Sequence, residues 1–147
     1  MATQHLVKLA ITLKAVHCDR AIPITVGIDQ NLTQILVKET EIIHWEFLAS
    51  DTCKLTVILP DKTDQEAVIV ENVSFFGIED PKFAWAGVYE PVYPEPWATQ
   101  QQNQGVVLKP QLCPHTYLGW SGKWTLTFDV PVFTWIHRIQ NLGWIYG

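Results

Sequence analysis

The 147-residue sequence has few charged residues and lacks a long hydrophobic run. Charged residues make up 17% of the chain, only 10 residues are Lys or Arg, and the formal net charge is -5 at pH 7. Nucleic-acid binding needs clustered basic side chains, so this balance argues against it. No apolar run reaches the roughly 18 residues of a membrane span, and lysines interrupt the N-terminal segment where a signal peptide would be apolar. We therefore expect a soluble protein that is not exported by a signal sequence and binds neither nucleic acid nor membrane.

Cysteines are also scarce, and the three present are widely spaced. Cys18, Cys53 and Cys113 form no CxxC pair, and their number is odd. This arrangement disfavours both a disulfide framework and a structural zinc site. We expect three free thiols that pack as small apolar side chains, with a Cys18–Cys53 bridge as the alternative.

The sequence is instead rich in apolar residues that alternate with polar ones. Apolar residues make up 48% of the chain, which excludes disorder, and the length suits one domain over residues 1–147. A period of two predicts half-buried strands. Seven to nine such strands, separated by turns, predict an all-β fold, an antiparallel β-sandwich or jelly roll. The candidate strands are Leu6–Val16, Ile22–Ile28, Leu32–Lys38, Glu41–Leu48, Cys53–Leu59, Ala67–Val70, Asn72–Ile78 and a last one that carries Trp124, Leu126 and Phe128. Ala67–Val70 and Asn72–Ile78 fit either two strands or one long strand with a kink.

The C-terminal segment fits two different structures. A short helix over Val132–Leu142 would place Phe133, Ile136 and Ile139 near one stripe. A strand that continues through Phe133 and Trp135 would alternate equally well. The sequence leaves both open.

Aromatic residues and prolines concentrate in a long segment, residues 79–117, which contains six of the nine prolines. Proline pre-orders the backbone, and rigid aromatic rings offer a large contact area. We therefore predict an extended loop or arm whose binding residues are Trp85, Tyr89, Tyr93 and Trp97, facing a protein neighbour or a sugar. The alternative is that the arm folds back and covers an open edge of its own sandwich.

No arrangement of residues indicates catalysis. The five histidines are scattered singly, and neither a G-x-S-x-G nor an HExxH motif is present. His17-Cys18-Asp19 are consecutive, so in a strand neighbouring side chains would point to opposite faces. We assign no catalytic residue and do not expect an enzyme.

Acidic residues and one asparagine, in two predicted turns and at the start of the long 79–117 segment, leave calcium binding open. Oxygen ligands from neighbouring loops can hold calcium, but Asp and Asn are also ordinary turn formers. We therefore assign no metal ligand and no cofactor, and keep calcium as the alternative. The residues concerned are Asp29, Asn31, Asp61, Asp64, Glu79 and Asp80.

The segment YLGWSGKWTLTFDVPVFTW, residues 117–135, resembles a motif of uncharacterised virion proteins of tailed bacteriophages. That pattern runs LG-aromatic-x-G-x-W-x-L-x-F-x-x-P-hydrophobic-x-x-W and closes a small β-sandwich. The resemblance implies a non-enzymatic structural protein located in the virion. It would pack against neighbouring capsid, neck, tail or baseplate subunits in many copies, as a homo-oligomer or assembly component, through the 79–117 arm.

A second resemblance lies in the strand spacing in the middle of the chain. Ile22–Ile28, Glu41–Phe47, Cys53–Leu59 and Val70–Ile78 are spaced as in calcium-dependent xylan-binding modules, which are jelly rolls. This resemblance implies the alternative function, a carbohydrate-binding module, calcium-assisted, for attachment to a host surface. The loop Glu79-Asp80-Pro81-Lys82 departs from the Asn/Asp-rich ligand loop of those modules, so no metal ligand is carried over.

Overall fold

The computed structural model describes residues 3–16, 20–59, 66–93, 95–113 and 115–141. The strands in this part of the chain are β1 (His5–Val16), β2 (Ile22–Ile28), β3 (Asn31–Val37), β4 (Thr40–Ala49), β5 (Cys53–Leu59), β6 (Ala67–Phe75), β7 (Ile78–Glu79), β8 (Val88–Pro91), β9 (Tyr117–Leu118) and β10 (Gly122–Phe128). The helices are α1 (Pro81–Trp85), α2 (Trp97–Asn103) and α3 (Val132–Asn141).

The strands form two five-stranded antiparallel sheets. In the first sheet the order is β4-β1-β6, and β7 and β9 both pair with the free side of β6. In the second sheet the order is β3-β2-β5-β10-β8. The predicted all-β sandwich is confirmed. Two of the ten strands have only two residues each, which is too short for an alternation pattern to reveal.

The core lies between the two sheets and is formed by alternate residues of each strand. On β1 every second side chain is buried, while Lys8 and Lys14 between them are exposed. Burying one large aliphatic or aromatic side chain contributes about 1.5–3 kcal/mol, so this alternation fixes which face of each strand turns inward. Fully buried members from both sheets are Val7, Ile11, Leu13, Leu55, Val57, Trp124, Leu126 and Phe128.

Two residues explain where β2 is paired and where it ends. Pro23 cannot donate a ladder hydrogen bond, and β2 pairs with β5 only from Thr25 onward, so at Pro23 it is paired on one side alone. The predicted turn after Ile28 is a two-residue turn in which Asp29 has φ 53. The Asp29 carboxylate accepts a hydrogen bond from the Lys54 amide at 2.9 Å, so this acidic residue supports the turn.

The C-terminal segment is a helix, α3, and not a strand. Val132, Trp135 and Ile136 are buried, with Trp135 packing against Phe75 at a ring distance of 5.3 Å. The predicted stripe was wrong at Phe133, which is 56% exposed. The buried face of α3 is instead centred on Trp135, because that indole packs against the core rings of Phe75, Phe83 and Phe128.

The 79–117 segment has more regular structure than the predicted extended loop. It contains α1, β8 and α2, and it ends in β9. The Asp80 carboxylate accepts a hydrogen bond from the Lys82 amide at 2.9 Å and caps α1. β8 pairs with β10 over four residues and forms the edge of the second sheet. This part of the segment thus extends its own sandwich.

Some predictions lie outside the described residues. They concern the turn at Pro60–Asp64, Cys18 with its alternative bridge, the His17-Cys18-Asp19 run, and the predicted helix end at Leu142. Cys53 and Cys113 are free thiols.

Candidate functional site

A surface groove of about 840 Å³ lies where β8 and α2 meet the outer face of the second sheet. We call it the Tyr93 groove. Its lining combines one aromatic ring, aliphatic side chains and three exposed polar side chains of different kinds, a carboxylate, an amide and an ammonium group. The residues that define it are Tyr93, Val92, Leu108, Glu90, Gln102 and Lys123.

Tyr93 is held in place by a cluster of aromatic rings. The centroid of its ring lies 5.0 Å from that of Trp120, nearly perpendicular, and 6.2 Å from that of Trp97. The Trp97 and Trp120 ring centroids are 5.9 Å apart. The Tyr93 hydroxyl donates a hydrogen bond to the Lys109 carbonyl at 2.6 Å. The hydrogen bond from its hydroxyl and the two neighbouring indoles therefore hold the Tyr93 ring in position beside the groove.

Tyr89 holds the backbone of Trp120 through two hydrogen bonds. The Tyr89 side chain is fully buried, and its hydroxyl accepts a hydrogen bond from the Trp120 amide at 3.0 Å and donates one to the Trp120 carbonyl. Its ring stacks on His115 with centroids 5.1 Å apart. Burial raises the pKa of the Tyr89 hydroxyl to about 12, so the hydroxyl stays protonated and keeps donating.

Two glycines allow β8 to lie close against β10. A Cβ at Gly122 would sit 2.5 Å from the Glu90 carbonyl oxygen, and a Cβ at Gly87 would sit 2.1 Å from the Trp124 ring. Both distances are shorter than any side chain tolerates, so only glycine fits. The close approach places Glu90 opposite Lys123 in the ladder, at the groove.

The four predicted binding residues do not lie together. Tyr93 and Trp97 belong to the ring cluster beside the groove, whereas Trp85 lies on α1, is 53% exposed and does not line the groove. Tyr89 is fully buried, so it has no free surface to offer a partner. Whether Tyr93 and Trp97 bind a ligand stays a prediction.

The sequence analysis did not name Trp120 as a candidate binding residue, although Trp120 belongs to the ring cluster and also packs against the core. A signal was present, because Trp120 lies in the turn Gly119-Trp120-Ser121-Gly122 and not on an alternating strand face. It is only half-buried, unlike Trp124 two positions beyond that turn. The polar groove residues carried no local signal, because they come from separate segments that only the fold brings together.

Cys53 does not resemble an activated nucleophile. Cys53 is buried, and its pKa is raised to about 11, chiefly by burial and then by the negative charges of Asp29 and Asp51. Nucleophilic thiols have a lowered pKa, so this group is inert in the folded protein. Cys113 is exposed, and its thiol donates to the Trp85 carbonyl at 3.6 Å.

Two further types of site are absent from the residues that the structure describes. There, no group of three or more His, Cys, Asp or Glu side chains is placed to hold a metal ion. In the same ranges, every helix is too short or too polar to cross a membrane. Of the acidic turn residues, Asp61 and Asp64 lie outside the described ranges.

The comparisons with known proteins bear on the fold. No protein-family model matches the chain, and no curated protein matches it. A solved structure that is similar is the carbohydrate-binding module vCBM60 in complex with galactobiose. The TM-score is 0.50 at 10% sequence identity, covering 81% of this chain and 96% of that one. At this identity the likeness shows a shared β-sandwich fold and nothing finer.

Proposed function

We propose that this protein is a non-catalytic module that binds carbohydrate in the Tyr93 groove. One observation carries the proposal: a pre-positioned tyrosine ring lines a groove of about 840 Å³ that also offers a carboxylate, an amide and an ammonium group. Ligand sites typically have volumes of about 300–1,000 Å³ and combine an apolar lining with a few polar groups.

A sugar ring matches this combination of groups. One face of a pyranose carries C–H bonds and packs on an aromatic ring, while its rim carries hydroxyls that both donate and accept hydrogen bonds. Tyr93 supplies the flat apolar surface, Glu90 accepts, Lys123 donates, and the Gln102 amide does both. Because Tyr93 is already held by Trp97 and Trp120, binding costs little side-chain entropy.

The shared fold also supports this function over the alternatives. The similar structure, vCBM60, contains galactobiose, so a sandwich of this kind accommodates a disaccharide in that protein. The residues of the Tyr93 groove, and not that likeness, support the position of the sugar in this chain.

Glycan binding and two matched variants test the proposal. We expect a glycan array that includes galactobiose to identify a ligand, and isothermal titration calorimetry to show that Tyr93→Ala loses affinity. Trp85→Ala is the control, because it removes an exposed aromatic ring that does not line the groove. Absence of any glycan ligand, or equal affinity of Tyr93→Ala and wild type, would contradict the proposal.

Chelation distinguishes a calcium-assisted site from a calcium-free one. Calcium in proteins takes 6–8 oxygen ligands, usually several of them carboxylates. The Tyr93 groove has one carboxylate in its lining, that of Glu90. We therefore expect glycan affinity to be unchanged by EDTA. A marked loss would place calcium in the site.

A second candidate is the virion structural role in a tailed bacteriophage. The supporting observation is that the edge strands β3 and β4 expose large apolar side chains, with Leu36 63% and Ile42 56% exposed. Trp85 adds a further exposed ring. The protein would then occupy the virion and pack against neighbouring capsid, neck, tail or baseplate subunits, or against its own copies. Particles made with Leu36→Lys or Trp85→Ala should lack the protein, and normal incorporation of both variants would contradict this role.

A further inference from the structure

The opposite face of the sandwich carries a second groove, of about 560 Å³, on the outer side of the first sheet. We call it the Phe76 groove. It runs over β4, β1 and the end of β6, along the side chains that point away from the core. Its lining includes Lys8, Ala10, His44, Glu46, Ser74 and Phe76.

Strand pairing sets the shape of the Phe76 groove. Ala10 pairs with His44 on one side and with Ser74 on the other, so a methyl group lies between longer polar side chains and forms the floor. In the next row Lys8 pairs with Glu46. A cation and a carboxylate therefore stand on adjacent strands at one end of this floor.

Phe76 forms the aromatic wall, in an unusual backbone conformation. It has φ 54 and is followed by Gly77 with φ 80, in the turn between β6 and β7. Asn, Asp or Gly normally occupies such a position, and a bulky side chain there is strained. The Phe76 amide donates to the Lys8 carbonyl at 2.9 Å, and its ring stacks on that of Phe133 with centroids 4.6 Å apart.

The strained backbone at Phe76 holds a partly buried aromatic ring at the edge of the groove. Phe76 packs against the core on one side, and Phe133, its stacking partner, is 56% exposed. Asn at position 76 would form the same turn without strain. Phenylalanine adds core packing and also a flat ring at the edge of a polar groove, and strain of this kind concentrates at functional sites.

We propose that the Phe76 groove is a second carbohydrate-binding site, selective for uncharged pyranose sugars; this rests on the function proposed for the protein. The sugar face packs on Phe76. Its hydroxyls donate to Glu46, accept from Lys8, and exchange hydrogen bonds with His44 and Ser74. Because Lys8 and Glu46 lie opposite each other, their charges offset, and an acidic sugar gains no net attraction.

Two sites on opposite faces bind separate glycan chains. One short oligosaccharide cannot reach both, because the whole sandwich lies between them. A surface or polymer that displays many glycans engages both sites and gains avidity from the second. The protein would then crosslink polysaccharide chains, which a module with one groove cannot do.

Chemical-shift mapping on the full chain tests this proposal. Galactobiose, cellobiose, xylotriose and galacturonic acid are titrated into ¹⁵N-labelled protein. We expect a neutral sugar to perturb two separate sets of resonances, one around Tyr93 and one around Phe76, and galacturonic acid to leave the Phe76 set unmoved. Phe76→Asn should abolish only the second set, and Tyr93→Ala only the first.

The variants also separate a binding defect from a folding defect. Asn tolerates the backbone of position 76, and this relief of strain offsets part of the packing that the ring loses, so Phe76→Asn should stay folded and show one cooperative melting transition. Ala10→Gln fills the groove from its solvent side and should have the same binding phenotype. Perturbation confined to the Tyr93 set, with Phe76→Asn and Ala10→Gln binding like wild type, would overturn the second site alone. No perturbation by any sugar would overturn both sites.

Discussion

Replacing Tyr89 by Phe removes the hydroxyl that supports the ring cluster beside the Tyr93 groove. That hydroxyl joins both backbone polar groups of Trp120, accepting from its amide at 3.0 Å and donating to its carbonyl. The Tyr89 ring itself is fully buried and keeps its packing in the variant. The substitution therefore isolates two hydrogen bonds at nearly constant volume.

The expected loss of stability follows from those two bonds. A hydrogen bond contributes about 0.5–1.5 kcal/mol net, and leaving a buried partner unsatisfied costs about 1–3 kcal/mol. Trp120 is half-buried, so water relieves part of this penalty. We expect Tyr89→Phe to lower the free energy of unfolding by about 2 kcal/mol, which is about 4–8 °C in melting temperature for a chain of this size.

The stability of the folded protein at alkaline pH gives a second, independent test of the role of the Tyr89 hydroxyl. The hydroxyl has an ordinary pKa of 10.0 in the unfolded chain and about 12 in the folded protein. Because the pKa is higher in the folded protein, the hydroxyl contributes about 3 kcal/mol to the free energy of unfolding below pH 10. This contribution is lost as the pH rises from 10 through 12. The Phe variant has no such group, so its stability should fall less over that window. Cys53 titrates between 9 and about 11 in both proteins and cancels in the comparison.

Urea unfolding of both proteins from pH 8 to pH 12 measures these effects. The free energy of unfolding of the wild type should exceed that of Tyr89→Phe by about 2 kcal/mol at pH 8, and this difference should decrease toward pH 12. The Tyr89→Phe protein should also bind glycan more weakly, since Trp120 no longer holds the Tyr93 ring so firmly. Equal stability at pH 8, together with parallel curves up to pH 12, would refute the reasoning.

Three further predictions concern other parts of the fold. Arg20→Ala removes a two-point partner of the Glu66 carboxylate, which is 3% exposed, and should cost about 1–3 kcal/mol in urea unfolding; Arg20→Lys should recover only part. Cys113→Ser should remove one fast-reacting thiol in a DTNB assay, while Cys53 reacts only on unfolding. Gly87→Ala should cost about 1–3 kcal/mol by calorimetry, because its Cβ would meet an indole at 2.1 Å.

The strands could be predicted from the sequence because alternation is a local signal. β1 and β2 follow the predicted bounds within one residue, since each side chain faces either core or solvent by position alone. α3 could not be separated from a strand, because its apolar residues fit both periods. Packing of Trp135 against the rings of Phe75, Phe83 and Phe128 favours the helix over the strand. These contacts are long-range, so a local sequence pattern cannot reveal them.

The 79–117 segment was harder to predict for a different reason. Its helices have five and seven residues, shorter than the window in which a helical period can be recognised, and its prolines interrupt the pattern. Aromatic density singled out this stretch of chain but could not distinguish Tyr89, which is buried, from Tyr93, which lines the groove. That distinction depends on pairing between β8 and β10, which is a long-range contact.

The most direct test of the account is the ratio of glycan dissociation constants for Tyr93→Ala and Trp85→Ala, each measured by calorimetry with the best ligand from the array. Loss of one aromatic stacking surface costs about 1.4 kcal/mol or more, which is at least tenfold in affinity. We predict that Tyr93→Ala binds at least tenfold more weakly than wild type and that Trp85→Ala binds like wild type. Equal affinities of the two variants would contradict the assignment of the groove.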